Sequence, residues 1–232
     1  TCRDLVAEEV SKDISLRMKL PPHLAQAHQE GLIHIHDLGH YLNNSFNCCL
    51  VNLKDMLMNG TVINGKMIER SHSFRTACTI ATQIIAQVAS GQFGGQTITL
   101  SHLAPFVRIS EERIRHEVED EIYNIMEYGL FNSAAIEEII QKRLAKEIRD
   151  GVQTFQYQIN TLQTSNGQSP FLSVFMDINE DPEYEHETAM IIEEFIRQRI
   201  QGMKNEVGAW ITPAFPKLLY VLDENNIHED SK

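Results

Sequence analysis

Apolar residues recur three and four positions apart along four stretches of the chain, the spacing of helices that bury one face. In 76–90, Ala77, Ile80, Ala81, Ile84, Ile85 and Val88 make one wide apolar stripe, which ends at the glycine-rich SGQFGGQ. A second helix is expected to begin at Ser110 as its cap, with Glu111 and Glu112 at the positive amino end and Ile114, Val118, Ile122 and Ile125 facing inward. Its charge places it on the surface. The longest pattern, 134–164, carries Ile136, Ile140, Leu144, Ile148, Val152, Phe155, Ile159 and Leu162, and predicts a left-handed cap at SNG. A fourth helix, about 184–203, turns Ala189, Ile192, Phe195, Ile196 and Ile200 inward and sets Glu193 four residues before Arg197.

Between the helices, 48–53, 96–100, 171–178 and 215–222 have the composition of strands. Strands alternating with helices predict an α/β fold with a largely buried sheet or barrel, rather than a bundle or a sandwich. With 232 residues, 42% of them hydrophobic, the chain can bury a substantial core, and no repeat or Pro/Gly/Ser-rich linker divides it. The acidic run NEDPEYEHE (179–187) reads as a solvated loop and helix start.

A net charge of −12 argues against a protein that tracks nucleic-acid backbone or sits on anionic lipid, because both require clustered Lys and Arg. Any phosphate must be held locally. No apolar run approaches the ~18 residues of a membrane span and no secretory leader is visible, which places the chain in the cytoplasm. The four cysteines, Cys2, Cys48, Cys49 and Cys78, form no disulfide framework, since a bond between the adjacent pair would be strained. A first residue of Thr1 and an end at HEDSK are expected of a piece of a longer chain.

The densest chemistry lies in IHIHDLGHYLNNSFNCCLVNL, residues 33–53. If this segment is extended, His34 and His36 share one face and both reach one ion. The further ligands on offer, Asp37, His40, Cys48 and Cys49, follow no zinc spacing, so no metal is assigned. Asp37 equally suits a cap on the turn LGH. Strand alternation sends Cys48 and Cys49 to opposite faces. One then packs as a small core residue, while the other, inside an enclosed barrel, suits redox or hydrogen-atom chemistry. Gly94 and Gly95 either bring backbone close to a ligand or merely end a helix, and TSNGQSPF (164–171) poses the same choice with Ser165, Asn166, Gln168 and Ser169. Neither is a Walker loop or a G-x-G-x-x-G dinucleotide turn.

Longer matches reach further than these patterns. HIHD (34–37), NCCLVNLKDML (47–57), SFRTACTIATQIIAQVASGQFGGQTI (73–98), LAPFV (103–107), INTLQTSNGQSPF (159–171) and PAFPKLLYVL (213–222) together resemble the class III, oxygen-sensitive ribonucleoside-triphosphate reductases that carry a glycyl radical. The resemblance implies the first half of a ten-stranded α/β barrel of the kind shared with other ribonucleotide reductases and pyruvate formate-lyase. The finger loop, glycyl-radical region, zinc site and regulatory cone domain would lie outside 1–232. It implies a radical-SAM activase, formate or a dithiol as reductant, ATP and deoxynucleoside triphosphates as effectors, ribonucleoside triphosphates as substrates and a homodimer. The segment 64–75 with the helix after it is a candidate for the effector interface.

Carried over by position, Cys48 matches the second reactive cysteine, expected to face the barrel interior with Cys49 packed outward. Ser90, Gly94, Gly95, Gln96 and Thr97 match where the family brings backbone to substrate. Asn166, Gly167, Gln168 and Ser169 are further candidates for that pocket, and His36 and Asp37 lie near where substrate or formate binds. With one reactive thiol and no radical source, the chain alone is expected to be inactive. Two other readings compete: a non-redox nucleotide-binding module in which Cys48 only packs, and a glycyl-radical lyase, whose neighbouring cysteines would sit on the finger loop.

Overall fold

The computed structural model describes residues 2–42, 47–92, 94–125, 132–164, 169–224 and 226–228. Helix α1 (Cys2–Ile14) passes through a π-helical turn (Ser15–Lys19) to α2 (Pro22–Gln29). A 3-10 turn (Leu38–His40), strand β1 (Cys49–Leu50) and helix α3 (Leu53–Asn59) follow. Next come a hairpin of β2 (Thr61–Ile63) and β3 (Lys66–Ile68), helix α4 (Phe74–Ser90), β4 (Gln96–Thr99), α5 (Ala104–Ile125) and α6 (Ser133–Thr161). The chain ends with β5 (Leu172–Met176), α7 (Glu185–Gln201), a hairpin of β6 (Met203–Lys204) and β7 (Trp210–Ile211), and β8 (Lys217–Tyr220).

Strands β1, β4, β5 and β8 form one sheet in that order, every pair parallel. Cys49 lies beside Gln96, Gln96 beside Leu172, and Ser173 beside Lys217. Neighbours in a parallel sheet share a face, so this register sorts the side chains into two rows. One row, with Gln96, Ile98, Leu172, Val174 and Met176 all buried, packs under the helices. The other contains Leu50 at 84% exposure, Phe175 and Leu219, and is open. Among the described residues, the core that covers the sheet lies on one face only.

The helical layer is built around α4 and α6. Ser73 caps α4, its Oγ accepting from the Thr76 amide at 3.2 Å, and Asn132 caps α6 by accepting from the Ala134 amide at 3.1 Å. The two helices cross at Gly151, where a Cβ would fall 2.7 Å from the ring of fully buried Phe74 and 3.4 Å from Cys78 Sγ. Phe155 and Phe195 meet edge to face at 5.5 Å and fasten α6 to α7. At the β2–β3 turn, Asn64 and Gly65 both take positive φ, as a tight two-residue hairpin requires.

Several sequence expectations change. The second helix starts at Ala104 rather than Ser110, because the apolar LAPFV continues straight into it; Phe106 and Val107 are fully buried, so its first half is not a surface element. Ser110 caps nothing. Its buried Oγ accepts from the Phe74 amide at 2.7 Å and donates to Glu147 at 3.1 Å, tying α5 to α4 and α6. The strand expected over 48–53 is only two residues long, since Asn52 accepts from the Asp55 amide and starts α3. Residues 33–37 form no strand, and the expected SNG cap falls on 165–167, outside the described residues.

The acidic run is not simply solvated. Glu180 accepts from Ser101 Oγ at 2.6 Å and from Thr99 Oγ1, while Asp181 pairs with Lys54 at 2.6 Å. Glu187, 8% exposed, pairs with Arg108 at 2.7 Å, and that guanidinium stacks over the Tyr184 ring. These contacts join α3, the turn after β4, α5 and α7 at the carboxyl ends of the strands. The Lys54 bond holds the Asp181 carboxyl below its ordinary range. Beside it, burial pushes the His102 imidazole down, with Glu180 opposing; its Nδ1 is buried without a partner.

Two outcomes follow from this packing. Gly151→Ala improves helix propensity yet drives a methyl into Phe74, so it should lower unfolding stability by about 1–2 kcal/mol, read as a lower denaturant midpoint at unchanged slope. Because folded His102 resists protonation, the unfolded state takes up its proton first as pH falls, and stability drops below about pH 6.5. The Asp181 contribution is lost only at lower pH, below about 4. His102→Gln should flatten the pH dependence of Tm in the upper window and leave the lower one intact.

Candidate functional site

The two thiols that the sequence places side by side are sent to different surroundings by strand alternation. Cys49, the first residue of β1, points under the helices, packs against the core and donates to Gln92 Oε1 at 3.7 Å. Burial raises its pKa, the Gln92 bond opposes that rise, and the neighbouring Cys48 adds to it. Cys48 sits just before β1, two residues from exposed Leu50, and its thiol is exposed at the amino end of the open face. Cys78 is buried within α4, where desolvation pushes its thiol far up and Glu147 adds to the effect.

A chain of hydrogen bonds leads away from Cys48. Its Sγ donates to Asn47 Oδ1 at 3.4 Å, and Asn47 Nδ2 donates to Asp37 Oδ2 at 3.1 Å. The same carboxylate oxygen is bonded by His36 Nδ1. Asn47 is also held from below, where Gln92 Nε2 donates to its carbonyl at 2.9 Å and, equally, to the carbonyl of Gly95. Gln92 is 7% exposed and so spans the two cysteines: one end accepts from Cys49, the other anchors the residue before Cys48.

The glycines explain how the turn comes so close. A Cβ on Gly94 would lie 2.1 Å from the Asn47 carbonyl oxygen, and one on Gly95 would lie 2.5 Å from the Phe171 ring. Their missing side chains admit the chain's own segments, Asn47 and Phe171 just ahead of β5, so the need for glycine here is met within the chain itself. Gln96 turns its side chain the other way. It is 1% exposed and turned into the helical layer, donating to the Ile85 carbonyl at 2.8 Å, so its side chain is not on the open face. Thr97 is on that face, in one row with Ser173 and Lys217.

Ser90 returns its hydroxyl to the Ala86 carbonyl of its own helix at 2.9 Å. Ser169 is exposed ahead of β5, while Asn166, Gly167 and Gln168 lie outside the described residues. The structure therefore brings His36, Asp37, Cys48, Gly94 and Gly95 to one end of the sheet. Asn47 and Gln92 were missed as site residues. Asn47 stood in the sequence immediately before the paired cysteines, but its partner Gln92 is 45 positions away and only the fold joins them.

His34 stacks near His28 and edge-on to His36, with centroids 5.6 and 6.1 Å apart. Among the described residues no three His, Cys, Asp or Glu side chains lie together in a way that holds a metal ion. No described helix is long and apolar enough to cross a membrane.

A parallel sheet packed under helices on one face, with the exposed Cys48 thiol at its amino end, places the described residues in the α/β class. The family model described as anaerobic ribonucleoside-triphosphate reductase matches residues 1–232, and the chain belongs to that family. It is 35% identical to the anaerobic ribonucleoside-triphosphate reductase of Enterobacteria phage T4 over 99% of its length, and 36% identical to that of Escherichia coli K12 over the same share. It spans about a third of these relatives, 36% and 30% respectively.

The crystal structure of the anaerobic ribonucleotide reductase from Thermotoga maritima with dATP bound in the specificity site superposes with a TM-score of 0.57 at 15% identity, covering 94% of this chain and 36% of that one. A second structure from that organism, with dATP and CTP, gives 0.51 over 84% of this chain and 32% of the other. At such identity the likeness concerns the fold.

The thiols should sort by environment. Brief iodoacetamide treatment followed by peptide mass spectrometry is expected to label Cys48 and exposed Cys2 first, Cys49 more slowly, and Cys78 only after unfolding, since burial disfavours the reactive thiolate.

Proposed function

We propose that this chain is part of the catalytic barrel of an anaerobic ribonucleoside-triphosphate reductase, with Cys48 as the thiol that takes part in reducing the ribose. The observation that carries the reading is the opposite placement of adjacent cysteines: Cys49 is fixed under the helices, and Cys48 stands exposed on the face the helices leave bare. That face is the inner side of the first half of a ten-stranded barrel, and its apolar residues Leu50, Phe175 and Leu219 are covered by the second half.

A thiol on such a wall fits hydrogen-atom chemistry, because an S–H bond is weak enough to release a hydrogen atom and to be reformed. The glycyl radical, made by a radical-SAM activase on a glycine outside these residues, supplies abstraction of the ribose 3′ hydrogen through another cysteine. Cys48 stands on the wall opposite that cysteine and gives up its hydrogen as the 2′ hydroxyl leaves as water. Formate or a dithiol supplies the two electrons that the replacement of hydroxyl by hydrogen requires. Thr97, Ser173 and Lys217 stand on the same wall and offer hydroxyls and one positive charge to a nucleotide. Deoxynucleoside triphosphates and ATP act as effectors on a homodimer, and the reaction is cytoplasmic.

The test is anaerobic reduction of ribonucleoside triphosphates by the full-length protein with its activase. Cys48→Ser should abolish product while the glycyl radical still accumulates by electron paramagnetic resonance, and Cys49→Ser should retain turnover. Full activity in both variants would reduce Cys48 to packing and favour a module without redox chemistry. Thr1–Lys232 by itself should turn over no nucleotide.

A further inference from the structure

The bond network around Cys48 contains an asymmetry that the placement of the thiols does not explain. Asn47 offers one acceptor and one donor from a single planar amide, and nothing in its own chemistry decides which end faces the sulfur. Asp37 decides it. An ionised carboxylate only accepts, so Nδ2 must turn toward Asp37 Oδ2, and Oδ1 is left facing Cys48 Sγ. The carboxylate is itself placed by an unusual backbone: Asp37 has φ of 54°, in the left-handed region that few residues other than Gly, Asn and Asp adopt. Its side chain is 31% exposed, less than half the exposure of His36, which bonds the same oxygen.

We infer that Asp37 is a positioning residue, acting through the side-chain amide of Asn47 to keep the Cys48 S–H directed as a donor rather than offering the sulfur an N–H. This rests on the reading of Cys48 as the reducing thiol. It also reassigns Asp37, which the sequence grouped with substrate-binding residues: its carboxylate is spent on Asn47 and His36. The gain is geometric. A thiol that must release its hydrogen in one direction is held in one rotamer by an acceptor that is itself fixed by Asp37, by Gln92 on its carbonyl and by the close approach of Gly94.

The left-handed backbone supplies a clean pair of variants, since Gly and Asn both tolerate it. Asp37→Gly removes the acceptor, and Asp37→Asn keeps one, its amide oxygen. In the full-length protein with its activase, Asp37→Gly should lower kcat by about tenfold to a hundredfold with KM and glycyl-radical yield unchanged, while Asp37→Asn recovers most of the rate. Asn47→Ala should match Asp37→Gly, and the double variant should be no worse than Asn47→Ala alone.

A second readout needs no turnover. With Asn47 free to turn, its N–H can meet the sulfur and favour the thiolate, so Cys48 should alkylate about threefold to tenfold faster in Asp37→Gly than in Asp37→Asn. Equal rates for the two Asp37 variants in both measurements would overturn the inference, as would a rise in KM at constant kcat or additive losses in the double variant. Retained turnover in Cys48→Ser would instead remove the reading beneath it, so the two failures are distinguishable.

Discussion

The contact between α4 and α6 at Gly151 is the constraint on which the rest of the structure depends. It admits the Phe74 ring and lets the two helices lie close enough to bury Ala77, Cys78, Ala81 and Ile85 completely. That contact lies at the amino end of α4, and the turn leaving the helix at its other end carries Gln92 and Gly94. Those two residues grip Asn47, and Asn47 sets Cys48. One helix thus serves the core at its amino end and, through the turn after its carboxyl end, the residue beside the exposed thiol.

The two ends of the sheet are put to different uses. At the carboxyl ends, where open α/β sheets usually place their ligands, this chain spends its polar groups on itself: Lys54 on Asp181, Arg108 on Glu187, Ser101 and Thr99 on Glu180. The exposed thiol is at the amino ends and opens onto the uncovered face. That arrangement suits a wall of a larger enclosure better than an independent open-sheet enzyme. Cys49 contributes by being withdrawn. Half-buried and bonded to Gln92, it leaves the open face with Cys48 as its exposed thiol.

Much of the secondary structure was legible in the chain. The long runs that became α4, α6 and α7 keep their period without interruption, and β4, β5 and β8 fall within the predicted strands. The misreadings share a physical origin. Ser110 looked like a cap because it precedes two glutamates, yet LAPFV ahead of it was already helical and buried. Helices α1 and α2 escaped because their apolar residues, such as Leu5, Val6 and Leu24, face outward and make no inward stripe to read. The acidic run looked solvated because its cations, Lys54 and Arg108, are far away in sequence.

The sequence by itself determined the alternation of helix and strand, the adjacency of Asn47 and two cysteines, and the family to which those residues belong. Pattern suffices there because it reports local periodicity and composition. Only the tertiary structure decided that Gly94 and Gly95 receive Asn47 and Phe171, that Gln96 turns under the helices, and that Asp37 accepts from the amide beside Cys48. These are contacts between segments tens of residues apart, or settled by a strand's register and one left-handed backbone angle. No periodicity encodes them; they exist only once the helices have packed.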